Sequence, residues 1–348
     1  MNRLVSLALA LAVGTMAVAV GAGGEAPKGS GGTPISEPAI SSTVYQVTHS
    51  LRVTDIPAGS KNARVWFWLP DDDDCQKVLD LDVTDAPAGY KITRDALNGH
   101  RYLYAEFDKP LQAVTVGTAF RFRRTSVSIA VDPQKAGELT DRQRIAFAEY
   151  LRRDVPNMEV TESLAALANQ ICGNEKNAVR EARLLYDWVA GNTNHYSIPH
   201  APKSSGRGSA EYCLTAKGGG CTDQHALFIA MARARGIPTR LQFGSLLKVP
   251  NEGKEIDPGY RCWVQYFIPN YGWVPMDISA GNVNPQKRDF YFSGLDDRRI
   301  RFLEGRDLEL SPKQDGPRLN LMISAYVEVD GKPHSAFTRI LRFNEMRP

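Results

Sequence analysis

The hydrophobic period of this chain switches along its length, and that switch limits what it can fold into. From Val44 to about Val131 apolar and polar residues alternate: Tyr45, Val47, His49, Leu51 and Val53, then Val65, Phe67 and Leu69, then Leu103, Ala105 and Phe107. Pro57-Ala58-Gly59 and Asn98-Gly99 separate these runs as turns. A period of two broken by turns predicts antiparallel strands with one buried face, hence a β-sandwich over residues 41–135. Between Asp141 and Arg240 the period becomes helical. Ala178, Ala182, Leu185 and Val189 share one face, and Gly191 stands where a helix C-cap belongs. Thr222 to Arg235 reads as a second helix with Leu227, Met231 and Ala234 as its stripe, ended by Gly236 and Pro238.

Tyr260 to Ile268 and Trp273 to Ile278 then read as strands of a hairpin turned by Pro269-Asn270-Tyr271-Gly272. Alternation returns at Leu319, Leu321, Ile323, Ala325, Val327 and Val329, which Asp330-Gly331 turns into Phe337 to Phe343. The fold class is α+β: a sandwich at 41–135, an α+β domain at 136–310, and strands at 311–348 that complete a sheet.

Residues 1–22 carry Arg3, an apolar run from Leu4 to Val20, and small residues at Ala17, Ala19 and Ala22. That is the layout of a cleaved signal peptide, with a single N-terminal anchor as the alternative, so the chain is expected to be exported, periplasmic or secreted. Gly-, Pro- and Ser-rich residues 23–40 read as a flexible linker. With 348 residues, 43% of them hydrophobic, the chain can bury more than one core. Its net charge of +3 gives no electrostatic case for nucleic acid or an anionic membrane surface.

The five cysteines, Cys75, Cys172, Cys213, Cys221 and Cys262, form no CxxC pair and no Cys/His spacing of a zinc site, so neither a metal nor a cofactor is expected. Export permits disulfides, and the four besides Cys221 either pair or lie buried as thiols. Asp71 to Asp74 lack the spacing of a calcium loop and read as a solvated loop. His49 and His100 sit in strand or turn positions with no partner cluster and read as structural.

Chemistry is announced at one place. Cys221 follows Gly218-Gly219-Gly220 and opens a helix, where unpaired N–H groups and the helix dipole favour a thiolate. The triplet is no phosphate loop, since no Gly-Lys-Ser or Gly-Lys-Thr follows. Its expected role is to bring the backbone closely into the helix, leaving the Cys221 N–H as an oxyanion donor.

Three stretches, Gly220-Cys221-Thr222-Asp223, Phe228 to Arg240, and Tyr271-Gly272-Trp273-Val274-Pro275-Met276-Asp277, together resemble the transglutaminase-like superfamily in its bacterial exported form. The resemblance covers about Asp141 to Arg306. It implies a papain-like core carrying a Cys-His-Asp triad for acyl transfer from amides of a protein or peptide substrate. Cys221 matches the nucleophile and Asp277 the acid.

The histidine does not match. The family keeps it two residues before the tryptophan of the first hairpin strand, and here Tyr260-Arg261-Cys262-Trp263 puts Arg261 there. No histidine occurs from 226 to 333. An arginine cannot take up a thiol proton at neutral pH, so the expectation is weak or lost activity, or a non-catalytic pseudoenzyme binding peptide or cell-envelope polymer in the same cleft. Arg261 could still hold a thiolate while Asp277 binds the same guanidinium. His225, four residues after Cys221, is either a substitute base or a packed core histidine. His195 and His200 either fold over the site or lie exposed, and Trp263 and Trp273 either line a groove or fill the core.

Overall fold

The computed structural model describes residues 41–94 and 99–347. The expected signal peptide and linker, and Asn98 of one expected turn, lie outside the described residues. The first part of the chain is strand: β1 (Ser42–Val53), β2 (Asn62–Trp68), β3 (Gln76–Asp85), β4 (Lys91–Arg94), β5 (Arg101–Asp108), β6 (Val114–Thr125) and the short β7 (Val127–Ser128). Next come α1 (Asp141–Ala146), α2 (Glu162–Cys172), α3 (Ala178–Asn192), β8 (Asn194–His195), α4 (Ala210–Ala216), β9 (Gly218–Gly219) and α5 (Cys221–Ala234). They are followed by β10 (Thr239–Leu246), β11 (Arg261–Ile268), β12 (Gly272–Met276), α6 (Ile278–Val283), α7 (Arg288–Ser293), β13 (Gly294–Leu295) and β14 (Arg299–Glu304). β15 (Ala325–Val329), β16 (Lys332–Pro333) and β17 (Phe337–Met346) end the chain.

Two sheets form the sandwich, in the orders β17-β1-β6-β3 and β16-β15-β2-β5-β4. The C-terminal strands therefore enter both sheets. Asp330-Gly331 turns β15 into β16 rather than into β17, because the chain crosses from one sheet to the other before β17 pairs with β1. The expected alternating strand from Leu319 is ordered as strand only from Ala325.

Alternation explains β1, but β2 is apolar on both faces. Val65 and Phe67 join Leu51, Leu103, Ala105 and Val327 in the sandwich interior. Trp66 and Trp68 point the other way, into the large core shared with the helices, where the Trp68 ring stacks on Phe302 of β14 at 5.2 Å. A second tie to β14 comes from the loop between β2 and β3. Asp73 accepts from Nε of Arg301 at 2.7 Å and from Arg124 at 3.3 Å, so this stretch of Asp71 to Asp74 docks on β14 instead of lying free in solvent. The carboxylate is the counter-charge for two buried guanidinium groups.

A further four-stranded sheet, β12-β11-β10-β14, carries α5 against β10 and β11 while α2, α3, α4 and α6 pack around the rest of the helix. Cys221 through Arg233 are all buried. The expected one-sided stripe of Leu227, Met231 and Ala234 is thus too narrow: this is a central helix, covered all round. α3 also differs from its sequence reading. It runs through Gly191 to Asn192 and ends at Thr193, whose N–H bonds to Val189 O at 3.1 Å.

Candidate active site

Helix α5 begins where the glycine triplet ends. Gly219 adopts φ +147°, and a Cβ there would lie 2.6 Å from Asp223 Oδ2, while one on Gly218 would lie 2.4 Å from Asn194 O. Bare backbone lets two segments meet. β9 pairs in parallel with β8, placing His195 opposite Gly219. Asn194 N–H donates to Lys217 O at 3.0 Å and Tyr196 N–H to Gly219 O at 2.8 Å. This short ladder delivers His195, only 1% exposed, to the start of α5. His200, five residues later in the loop, is exposed.

Asp223, the third residue of α5, holds the turn from inside. Its carboxylate accepts from the N–H of Gly220 (2.7 Å), Ser205 (3.1 Å) and Ser209 (2.7 Å), and from the hydroxyls of Ser204 (3.2 Å) and Ser205. The loop from Ser204 to Ser209 is thereby fastened over the helix start, which leaves Cys221 4% exposed.

The Cys221 thiol is held well below its usual range. The largest cause is a hydrogen bond from Cys262, which outweighs the opposing effect of burial; a hydrogen bond with His195 and the charge of Arg261 add to it. A hydrogen bond to a charged group contributes about 1.5–3 kcal/mol against about 0.3–1 kcal/mol for a helix start. Side-chain neighbours therefore do more than the dipole. Burial, and the bond it gives to Cys221, push the Cys262 thiol well up, so the pair is a thiolate at 221 beside a thiol at 262.

Arg261, the first residue of β11, reaches the same spot. Its Nη1 donates to His195 Nε2 at 2.9 Å. The guanidinium also contacts the Cys221 sulfur; burial disfavours its charge, but the thiolate and Asp277 outweigh that. Because a guanidinium carries only donors, His195 Nε2 accepts, while Nδ1 lies 2.8 Å from Ser197 Oγ and 3.3 Å from the Ser197 backbone N–H.

Asp277 caps α6, with Oδ1 accepting from Ala280 N–H at 2.9 Å. Its guanidinium partner is Arg299, Nη1 to Oδ2 at 3.0 Å, not Arg261. Arg299 is already held by Asp296, Nη2 to Oδ2 at 2.7 Å, and lies over the Trp263 ring at 5.1 Å. The expected sharing of one guanidinium between sulfur and carboxylate is therefore corrected: Arg261 serves the sulfur and Arg299 the acid. Burial would raise the Asp277 carboxyl, but contact with His225 and the Arg299 charge hold it well below the carboxylate range.

His225 faces a different sulfur from the one expected. Its Nε2 accepts from Ile278 N–H at 3.1 Å and stands 3.6 Å from Asp277 Oδ1, too far for a hydrogen bond. The proton on Nδ1 points to Cys262 Sγ at 3.1 Å. Cys262 thus stands between His225 and Cys221. Trp263 is fully buried with Nε1 bonded to Gln242 at 2.6 Å, whereas Trp273 is half-buried and packs edge-on against Tyr150 beneath Arg240. All five cysteines are free thiols.

From sequence, His195 is one of two histidines that either fold over the site or lie exposed, and Arg299 and Cys262 have no site role. For Arg299 a local signal existed, the Asp296/Arg299 spacing of three. For Cys262 the signal was strand alternation, which turns it toward α5. For His195 there was none.

Residues 165–278 match the transglutaminase-like superfamily. An uncharacterized protein of Haemophilus influenzae is 24% identical over 333 residues, spanning 84% of this chain and 88% of its own length. The crystal structure of a protein from Cytophaga hutchinsonii, assigned provisionally as a cysteine protease, superposes with TM-score 0.58 at 15% identity, covering 88% of this chain and 92% of that one. The periplasmic domain of TgpA from Pseudomonas aeruginosa is more distant, with TM-score 0.35 and 15% identity over 72% of this chain and 91% of that one. The matched stretch begins in α2 and runs through Cys221 to the residue after Asp277, and over it the chain carries a domain of the transglutaminase-like superfamily.

Proposed function

We propose that this chain is a thiol-dependent acyltransferase or hydrolase acting on amide bonds of proteins or peptides outside the cytoplasm, with Cys221 as nucleophile and His195 as its imidazole. The observation that supports this is the delivery of His195 by β8 to the start of α5, with Nε2 bonded at 2.9 Å to Arg261 Nη1, whose charge lowers the Cys221 thiol pKa. The expectation of weak or lost activity followed from an arginine at the base position. An imidazole arriving from β8 supplies what that arginine cannot.

The chemistry then runs as follows. Cys221 enters as its thiolate, and as Arg261 turns its Nη1 from imidazole to sulfur the freed Nε2 takes up a proton from solvent. The thiolate attacks the amide carbonyl, and the Cys221 N–H, one of the unpaired donors of the first turn, receives the developing oxyanion. His195 passes that proton to the departing amine, leaving a thioester. Water or a primary amine then attacks the thioester and frees the sulfur. Asp277, held by Arg299, fixes the start of α6 against His225.

The test is turnover on dimethylcasein with a fluorescent primary amine, and ammonia release in its absence. His195→Ala should lower the rate about 10²- to 10⁴-fold with an unchanged melting temperature, and a fully active His195→Ala would overturn the assignment. A second reading, a non-catalytic cleft that binds peptide or envelope polymer, is favoured by the Ser204–Ser209 loop that leaves Cys221 4% exposed. Saturable peptide binding by a wild type without turnover would select it.

A further inference from the structure

Cys262 is a second sulfur at the site that the acyl-transfer steps do not use. It lies on β11, against the first turn of α5, and is fully buried. Thr222 Oγ1 touches both sulfurs, 3.4 Å from Cys262 Sγ and 3.9 Å from Cys221 Sγ, so one hydroxyl bridges the pair. His225 Nδ1 approaches Cys262 Sγ at 3.1 Å from the other side. One sulfur is therefore marginally reachable from solvent and the other is packed behind it, with both on regular elements that hold them together.

We propose that Cys221 and Cys262 are a reversible disulfide pair, so that a hydroperoxide switches the nucleophile off and a thiol reductant restores it. The inference rests on the reading of Cys221 as the reactive thiol. In the first step the Cys221 thiolate attacks one peroxide oxygen; the O–O bond breaks, hydroxide leaves, and the sulfur is oxidised by two electrons to a sulfenic acid. Cys262 Sγ then attacks that sulfur. The S–S bond forms, the S–O bond breaks, and the leaving oxygen departs as water with the Cys262 proton. Two thiols and one peroxide give one disulfide and two waters. A dithiol reverses the change by exchange, ending as its own disulfide. The low-pKa thiolate beside a protonated thiol is the pairing this sequence of steps needs, and it spares Cys221 the irreversible sulfinic acid.

The experiment uses the full chain, fully reduced, exposed to hydrogen peroxide, then denatured and alkylated with iodoacetamide for intact-mass and peptide analysis. The expected product lacks two hydrogens and joins the peptides holding Cys221 and Cys262. Dithiothreitol should return both sites to full alkylation. In Cys262→Ser, Cys221 should pass instead to sulfinic acid that dithiothreitol does not reverse; a melting curve checks that this variant is folded. Wild-type protein in which Cys221 carries oxygen while Cys262 remains alkylatable would overturn the pairing, as would a bridge to another cysteine. These readouts are masses and do not depend on turnover, so failure of the disulfide and failure of the acyl-transfer reading are separate results.

Discussion

Helix α5 has two halves that water reaches equally little. From Ala226 to Ala232 the side chains are apolar and are held by contact with the sheet and the surrounding helices. From Cys221 to His225 they are polar or reactive, and each meets a named partner: Thr222 with Tyr260 at 3.0 Å, Asp223 with the Ser205 loop, Gln224 with Thr193 at 3.0 Å, His225 with Cys262. Burial of the first kind tolerates any residue of the right shape. Burial of the second kind loses stability with each partner removed, because an orphaned buried polar group costs about 1–3 kcal/mol. The contrast shows how one rigid helix can serve as both core and reactive surface.

Substitutions in the two halves should separate these roles. Cys221→Ala should abolish turnover on dimethylcasein while moving stability by no more than about 1 kcal/mol; retained turnover would mean the sulfur is a bystander. Phe228→Ala, in the apolar half, should remove about 3–5 kcal/mol of stability in urea unfolding. A loss near zero there would show that the helix is not the centre of the core. Arg299→Leu should remove a similar amount, about 3–5 kcal/mol, by leaving Asp277 buried without its cation.

The pH dependence sharpens the comparison further. The Cys221 thiol is held well below its usual value, whereas burial pushes Cys172 and Cys213 up to about 11 and about 12. Iodoacetamide at pH 6 should therefore label Cys221 in preference to those two, and Arg261→Gln should move its profile toward alkaline pH. An unperturbed profile with a midpoint near about 8.5 would sink the arrangement.

His49 offers the opposite case, an imidazole buried in apolar company. It lies between Phe67 and Phe302, and neither ring nitrogen finds a partner among the described residues. Burial, with the Arg339 charge, lowers its pKa to about 3. Between the unfolded value near about 6.5 and that folded value, the unfolded chain binds a proton that the native one does not, so stability falls as pH drops through this window. By pH 5 the loss should be about 2 kcal/mol, and His49→Leu should flatten it. Equal slopes for variant and wild type would refute that account.

What the sequence made legible was whatever is written locally. The Gly220-Cys221 start, the hairpin turned at Pro269 to Gly272 and Asp277 were all readable from adjacent residues, as were the alternating strands of the sandwich. What it hid depends on segments far apart. His195 comes to the sulfur through a two-residue ladder that has no period to detect. Asp277 draws its cation from a strand 22 residues later, and the polar first turn of α5 imitates an exposed face until the loop from Ser204 covers it. Gly191 looked like a helix end because a glycine inside a helix carries no local mark of what continues it.

The β8–β9 ladder has one more consequence. On that side imidazole and sulfur are brought together by the amides of Asn194 and Tyr196, with the His195 N–H donating to Asn282 Oδ1 at 2.7 Å, while the helix and sheet behind them are secured by a whole core. Such a ladder opens at a lower free energy than the global fold. On warming, catalysis should fade several degrees before the melting transition, and those two amides should exchange with deuterium well ahead of the amides of α5.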